Sequence, residues 1–148
     1  MHCHIIPGVD DGAKTLHDSM EILKNERAQG VENIILTPHF RMNMLETSRD
    51  VVEKNYRDLV DMAKKEYPGM KFYLGCEFHS NLDMTDMLRA DPRYRMCGTR
   101  YILLEFSSAH DTGYIRNRTY ALISSGFTPV IAHCERYRPV YRHIDFAE

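Results

Sequence analysis

Two imidazoles stand two residues apart at the start of the chain, in His2-Cys3-His4. On a β-strand such residues leave the same face roughly 6.5 Å apart, so both can reach one ion. Asp10-Asp11-Gly12 follows in the next loop. Further along, His39 ends Thr37-Pro38-His39, Glu77 ends Gly75-Cys76-Glu77, Glu105 follows Leu104, and His133 follows Ala132. Each of these stands at the end of a short apolar run. A lone His or Glu in such a place is ordinarily a hydrogen-bonded or solvated structural residue, and an HxH pair alone is a weak signal. Recurrence at the same end of successive runs is what points to a shared metal site. Imidazoles and carboxylates without paired thiolates fit a catalytic cluster better than a Cys-rich structural zinc site. Of the other histidines, His17 reads as lying in the first turn of a helix, and His79, His110 and His143 as lying in polar loops or near the end of the sequence. Cys3, Cys76 and Cys134 each adjoin a candidate ligand, and strand alternation would turn them to the other face as small core residues.

The elements that must position these groups are legible from periodicity. Residues 33–37, 71–75, 101–105 and 128–132 are short, apolar or β-branched, and recur at roughly 30-residue intervals. Their continuous apolar character predicts strands buried on both faces, as in parallel sheets. With the HxH stretch as a first strand, that gives five. Between them lie helical patterns. Thr15-x-x-Asp18 forms a capping pair ahead of Leu16, Met20 and Leu23, and Gly30 stops the run. Thr47-x-x-Asp50 opens a second helix carrying Val52, Tyr56 and Leu59, which ends at Pro68-Gly69. A third carries Ile115, Thr119, Leu122 and Ile123 and ends at Gly126. Residues 82–100 read as a short helix and a loop. The order β-α-β-α-β-(α)-β-α-β calls for an α/β fold with right-handed crossovers. An open doubly wound sheet and part of a (β/α) barrel both fit, and in either one reactive groups collect at the carboxyl ends of the strands.

Composition narrows the function classes. A chain of 148 residues suits one domain. With 19 basic and 21 acidic side chains, the net charge of −2 gives no basic excess for nucleic acid. No apolar run is long enough to span a bilayer, and the start lacks the basic and apolar regions of a secretory signal. The four Cys show no CxxC spacing, which predicts a reduced, cytoplasmic protein. His133-Cys134 opens like the thiolate phosphatase pattern HCx5R, but position 140 is Val, and none of the four Cys has Arg six residues later. A thiolate mechanism is excluded on that ground, and neither a GxSxG elbow nor a P-loop is present.

Taken together, His2-Cys-His-Ile-Ile-Pro-Gly-Val-Asp-Asp-Gly-Ala13, Thr37-Pro-His39, Gly75-Cys-Glu77, Leu104-Glu-Phe106 and Ile131-Ala-His-Cys-Glu-Arg-Tyr137 resemble the PHP (polymerase and histidinol phosphatase) superfamily. More closely, they resemble its manganese-dependent bacterial tyrosine phosphatases, found with capsular and exopolysaccharide synthesis genes. The resemblance covers the whole chain. Its most specific part is the opening stretch with its Asp-Asp-Gly-Ala ending.

The resemblance implies a distorted (β/α)7 TIM-like barrel with two or three Mn2+ ions at its carboxyl end, for which Fe, Zn or Mg could substitute. It implies that His2 and His4 hold the first ion and that Glu77 bridges the first and second. Glu105 and His133 then hold the second ion, and Asp11 and His39 the third. Arg136 matches the family's phosphate-binding Arg. Cys134 stands where Pro is usual. The family's late Asp-x-His motif and a second phosphate-contacting Arg would lie beyond Glu148. The sequence therefore resembles roughly the front 60% of such an enzyme, about the first five strands of a single PHP phosphatase domain incomplete at its carboxyl end. The implied reaction is hydrolysis of phosphotyrosine in proteins by a metal-bridged hydroxide, because bound cations bring the pKa of water down from about 15.7 towards 7. The implied partner is a phosphotyrosine protein, a bacterial tyrosine kinase of polysaccharide export, with no nucleic acid and no membrane insertion. Unpaired strand edges would favour edge-mediated oligomers. The alternatives are another PHP phosphoesterase, such as a histidinol-phosphate phosphatase, and an inactive metal-binding fragment.

Overall fold

The structure, a computed structural model, describes residues 2–142, with side chains through Val140. His143 lies outside the described residues. Six short strands alternate with helices: β1 (Asn33–Leu36), β2 (His39–Phe40), β3 (Lys71–Leu74), β4 (Glu77–His79), β5 (Tyr101–Glu105) and β6 (Thr128–Ile131). The helices are α1 (Leu16–Ala28), α2 (Arg49–Glu66), α3 (Met84–Ala90), α4 (Thr112–Ser124) and α5 (Arg138–Arg142).

Every pairing between these strands is parallel. β1 pairs with β3, and β2, β4, β5 and β6 form a second sheet in that order. The predicted mixed α/β fold is therefore present. Among the described residues, however, the strands form two parallel sheets and not a closed barrel.

Two of the predicted strands, 33–37 and 71–75, form as β1 and β3, and each is followed after a break by a second short strand that was not predicted. Pro38 has no N–H to donate to a ladder, and the Thr37 N–H turns away to Cys3 O at 2.9 Å. Gly75-Cys76 makes the matching break between β3 and β4. Two bonds keep the broken strands in step, Gly75 N–H to Leu36 O (2.8 Å) and Glu77 N–H to Pro38 O (3.1 Å). The first predicted strand is not formed. Cys3 touches Thr37 through its own N–H to Oγ1 and through its carbonyl, and a contact at one residue is too little for a ladder.

Alternation explains the packing. On β1, Ile34 and Leu36 pack against Leu23 of α1 and against Val52, Leu59 and Ala63 of α2. On β5, Ile102 and Leu104 pack with Met84 and Leu88 of α3 and with Ile115 and Leu122 of α4. The intervening Ile35 and Leu103 face the other way and meet Met96, Val130 and Ala132. Strands buried on both faces thus account for the continuous apolar runs.

The helix ends follow local chemistry. Thr15 and Asp18 form the reciprocal capping box at α1. Ser48, one residue later than predicted, caps α2 through Val51 N–H, while the Thr47 hydroxyl donates to Val9 O. Asp111 caps α4 through Tyr114 N–H. Residues 82–100 hold α3 and two single 3-10 turns.

Candidate metal centre

The register of the second sheet brings distant residues to one place. His39 pairs with Glu77 across β2 and β4, and Glu77 pairs with Leu103 across β4 and β5. Glu105, two residues beyond Leu103, therefore emerges on the same face. His133 follows β6, where the Ala132 N–H still bonds to Leu104 O. A cavity of about 610 Å³ opens at these ends. It is lined by His2, His4, Asp11, Gly12, His39, Glu77, Glu105, His133 and Arg136. All eight residues singled out in the sequence thus meet at one cavity.

Glu77 is the centre of the arrangement and is fully buried. Its Oε1 lies 2.9 Å from His133 Nε2. Its Oε2 lies 2.9 Å from His2 Nε2, 3.0 Å from His4 Nε2 and 3.2 Å from His39 Nδ1. Yet Oε2 and His39 Nδ1 are buried without a hydrogen bond of acceptable geometry. Three nitrogens crowd one oxygen without pointing in line at it. His2 Nε2 and His4 Nε2 face each other at 3.1 Å. Ligand atoms bonded to one cation at about 2.1 Å stand about 3.0 Å apart at right angles and about 3.4 Å apart in a tetrahedron. The observed separations have that size, so the donor set fits a divalent cation better than it fits a hydrogen-bond network. Three groups of donor atoms lie close enough to share an ion: His2, His4 and Glu77; His4, Asp11 and His39; and His39, Glu77 and Glu105.

The grouping differs from the resemblance in one respect. His39 stands between two sets, with Nε2 at 3.6 Å from Asp11 Oδ1 and Nδ1 at 3.7 Å from Glu105 Oε2. His133 reaches both Glu77 and Glu105, the latter at 3.6 Å.

Electrostatics are those of a site built around carboxylates. Burial alone would raise the Glu77 pKa, but the close approach of the His2, His4 and His39 rings holds it well below the usual range. Glu105 moves the other way, raised by burial and by the neighbouring Glu77 charge. Burial works against the charged form of His4, yet the hydrogen bond to Asp10 and the close Glu77 carboxylate carry it up to about 9. Arg136 is exposed at the cavity mouth, its Nε 3.6 Å from Glu135 Oε1. That pair is solvated and weak.

Two roles were missed from sequence. Asp10 accepts hydrogen bonds from His4 Nδ1, the His39 N–H and the Gly12 N–H, each at 2.9 Å. Tyr137 is buried, and its hydroxyl donates to Ala132 O at 2.8 Å and accepts from Phe106 N–H at 3.0 Å. His133 Nδ1 lies 3.3 Å from the same oxygen. That oxygen gives its proton to Ala132, so Nδ1 is the donor and Nε2 faces Glu77. His133 itself sits in the left-handed region (φ 33°), which costs a β-carbon residue energy that these contacts must offset. The Asp-Asp doublet was the available signal for Asp10. Nothing local marked Tyr137.

The histidine and cysteine expectations need two corrections. His79 is not in a loop. It is buried in β4, where burial pushes its pKa down to about 4, and its Nε2 has no hydrogen-bond partner. Cys134 is exposed, because strand alternation has ended by the 3-10 turn Cys134–Arg136. Burial raises the thiols of Cys3 and Cys76 to about 11 and about 12, so neither is a reactive thiolate.

Residues 1–148 match a family model described as capsular polysaccharide synthesis, CpsB/CapC. The chain is 34% identical over 137 residues to the tyrosine-protein phosphatase CpsB of Streptococcus agalactiae, covering 93% of this chain and 56% of that protein. It is 32% identical over 146 residues to the tyrosine-protein phosphatase YwqE of Bacillus subtilis, covering 95% and 55% respectively. It also superposes with a TM-score of 0.85 on a chain from the crystal structures of YwqE from Bacillus subtilis and CpsB from Streptococcus pneumoniae, described as unique metal-dependent tyrosine phosphatases. That match has 32% identity and covers 97% of this chain and 58% of the other. The chain thus spans a little over half the length of the curated relatives it matches.

Proposed function

The chain belongs to the CpsB/CapC family of capsular polysaccharide synthesis, and on that footing we propose that it carries the principal metal- and phosphate-binding half of a metal-dependent protein-tyrosine phosphatase. The observation that carries the reading is the crowding of His2, His4, His39 and His133 around the buried Glu77 carboxylate. His2, His4, Asp11, His39, Glu77, Glu105 and His133 are the proposed ligands of two or three ions. Mixed imidazole and carboxylate donors suit Mn2+, with Fe, Zn or Mg as substitutes. The proposed whole is a PHP-type (β/α)7 barrel domain, of which residues 1–148 form the front part.

Bound cations would supply Lewis-acid charge and a water acidic enough to serve as nucleophile near neutral pH. The chain's own residues do the rest. Asp11, Glu77 and Glu105 set the charge of the cavity so that bound divalent ions leave a positive excess for a phosphate dianion. The guanidinium of Arg136, at the mouth, donates paired N–H bonds to the equatorial phosphate oxygens. An O–P bond to water forms as the bond to the tyrosyl oxygen breaks, and the proton passes to the phenolate, whose ordinary pKa of about 10 makes it a fair leaving group. The products are tyrosine and inorganic phosphate, with no phosphoenzyme.

The names of the relatives favour phosphotyrosine over histidinol phosphate. A protein partner such as a tyrosine kinase of polysaccharide export, a cytoplasmic location and association through free strand edges belong to the same reading. Among the described residues no helix is long and apolar enough to cross a membrane. The deciding assay compares phosphotyrosine peptide with histidinol phosphate, each with Mn2+, with EDTA and after thiol alkylation. The peptide should be cleaved with Mn2+, still be cleaved after alkylation, and stay intact in EDTA. Activity that survives EDTA but is lost on alkylation would overturn the mechanism, and preference for histidinol phosphate would overturn the substrate.

A further inference from the structure

We propose that Asp10 is a positioning residue that holds three of the proposed metal ligands at once. The inference rests on the metal-site reading above and extends it to a residue that binds no ion. The Asp10 carboxylate has no solvent exposure, and its oxygens are taken by three N–H groups. Oδ2 accepts from His4 Nδ1 and from the His39 backbone N–H, and Oδ1 accepts from the Gly12 N–H, all at 2.9 Å.

Each bond has a separate consequence. The first sets a tautomer. With its proton on Nδ1, His4 presents the Nε2 lone pair to the cavity, 3.0 Å from Glu77 Oε2. Without that acceptor the ring is free to carry its proton on Nε2, which removes the ligating lone pair. The second bond anchors the backbone of His39, whose ring lies 4.3 Å from that of His4. The third closes the loop that carries Asp11. That loop crosses His4 so tightly that a β-carbon at Gly12 would lie 2.0 Å from the His4 carbonyl oxygen. One buried carboxylate therefore fixes His4, Asp11 and His39, which come from two parts of the chain and make up one candidate ion group. A carboxylate behind a ligating imidazole both orients the ring and raises its basicity.

The test uses the chain with 15N-labelled histidine, loaded with Zn2+ as a diamagnetic probe. Long-range 1H–15N correlation should show His4 protonated at Nδ1 and metallated at Nε2. Asp10→Asn and Asp10→Ala should lower Zn2+ affinity about 10- to 100-fold in competition with a chromogenic chelator, with the far-ultraviolet circular dichroism unchanged. A His4 metallated through Nδ1 overturns the proposal, and so does a folded Asp10→Ala chain with wild-type Zn2+ affinity. The tautomer measurement needs no variant, so it decides even if both substitutions prevent folding. A wild-type chain that takes up no Zn2+ overturns the metal-site reading itself and this inference with it.

Discussion

Replacing Tyr137 by Phe removes one oxygen from a buried position between two strand ends. The hydroxyl accepts from Phe106 N–H at 3.0 Å, just past Glu105 at the end of β5, and donates to Ala132 O at 2.8 Å, just before His133. Burial pushes its pKa up to about 12, so it remains a donor throughout the accessible pH range. Phe fills the same ring space, and no cavity term arises. What changes is hydrogen bonding. A buried N–H left without an acceptor costs about 1–3 kcal/mol, and the lost bond to Ala132 O adds about 1 kcal/mol. The variant should therefore lose about 2–4 kcal/mol. In urea unfolding with a chelator present and an m value of about 2 kcal/mol/M, the midpoint should fall by about 1–2 M with m unchanged. The loss should be accompanied by weaker metal binding, because His133 Nδ1 loses the oxygen 3.3 Å away that keeps Nε2 turned towards Glu77. A stability change below about 0.5 kcal/mol would refute the reasoning, since it would mean that the hydroxyl does not bridge β5 and β6.

Other perturbations address the cavity directly. Glu77→Gln removes the carboxylate that four imidazoles surround, and titration calorimetry should show metal affinity reduced by at least about 100-fold. His4 titrates near 9 in the metal-free chain, above its ordinary 6.5. Its contribution to metal-free stability is thus complete below pH 6.5 and is lost as pH rises through 9. Metal must displace that proton, so affinity measured at stepped pH should fall about tenfold per unit below 9 for each proton released. An affinity flat from pH 9 to 7 would contradict the pairing with Asp10 and Glu77. Gly12→Ala places a β-carbon 2.0 Å from a backbone oxygen that cannot move aside alone. Thermal unfolding should report a destabilisation of about 1–3 kcal/mol or more, and the displaced Asp11 should reduce the number of ions bound.

Much of the site could be read along the chain because its chemistry is local. His39, Glu77, Glu105 and His133 each follow a short apolar run, and a parallel sheet delivers such positions to one edge whatever the details of pairing. The capping box at Thr15 and Asp18 is likewise a matter of four neighbouring residues. The strand breaks were harder to see. Residues 33–37 and 71–75 read as unbroken strands, yet each runs into a break that a second short strand follows. Pro38 shows why one ladder stops, but only the partner strand shows where pairing resumes. His79 was misjudged because its polarity suggested a loop, whereas its register opposite Glu105 buries it.

The sequence by itself marked the side chains that meet at the cavity, the α/β class and the lack of an HCx5R pattern, since residue type, periodicity and spacing are properties of neighbouring positions. The tertiary structure alone decided that His39 stands beside Glu77, that His4 turns Nδ1 to Asp10, that Tyr137 joins β5 to the end of β6, and that the strands lie in two sheets. Each of these is set by hydrogen bonds between residues that local periodicity does not link. Which nitrogen faces the cavity and which faces a carboxylate is fixed only once those bonds have closed.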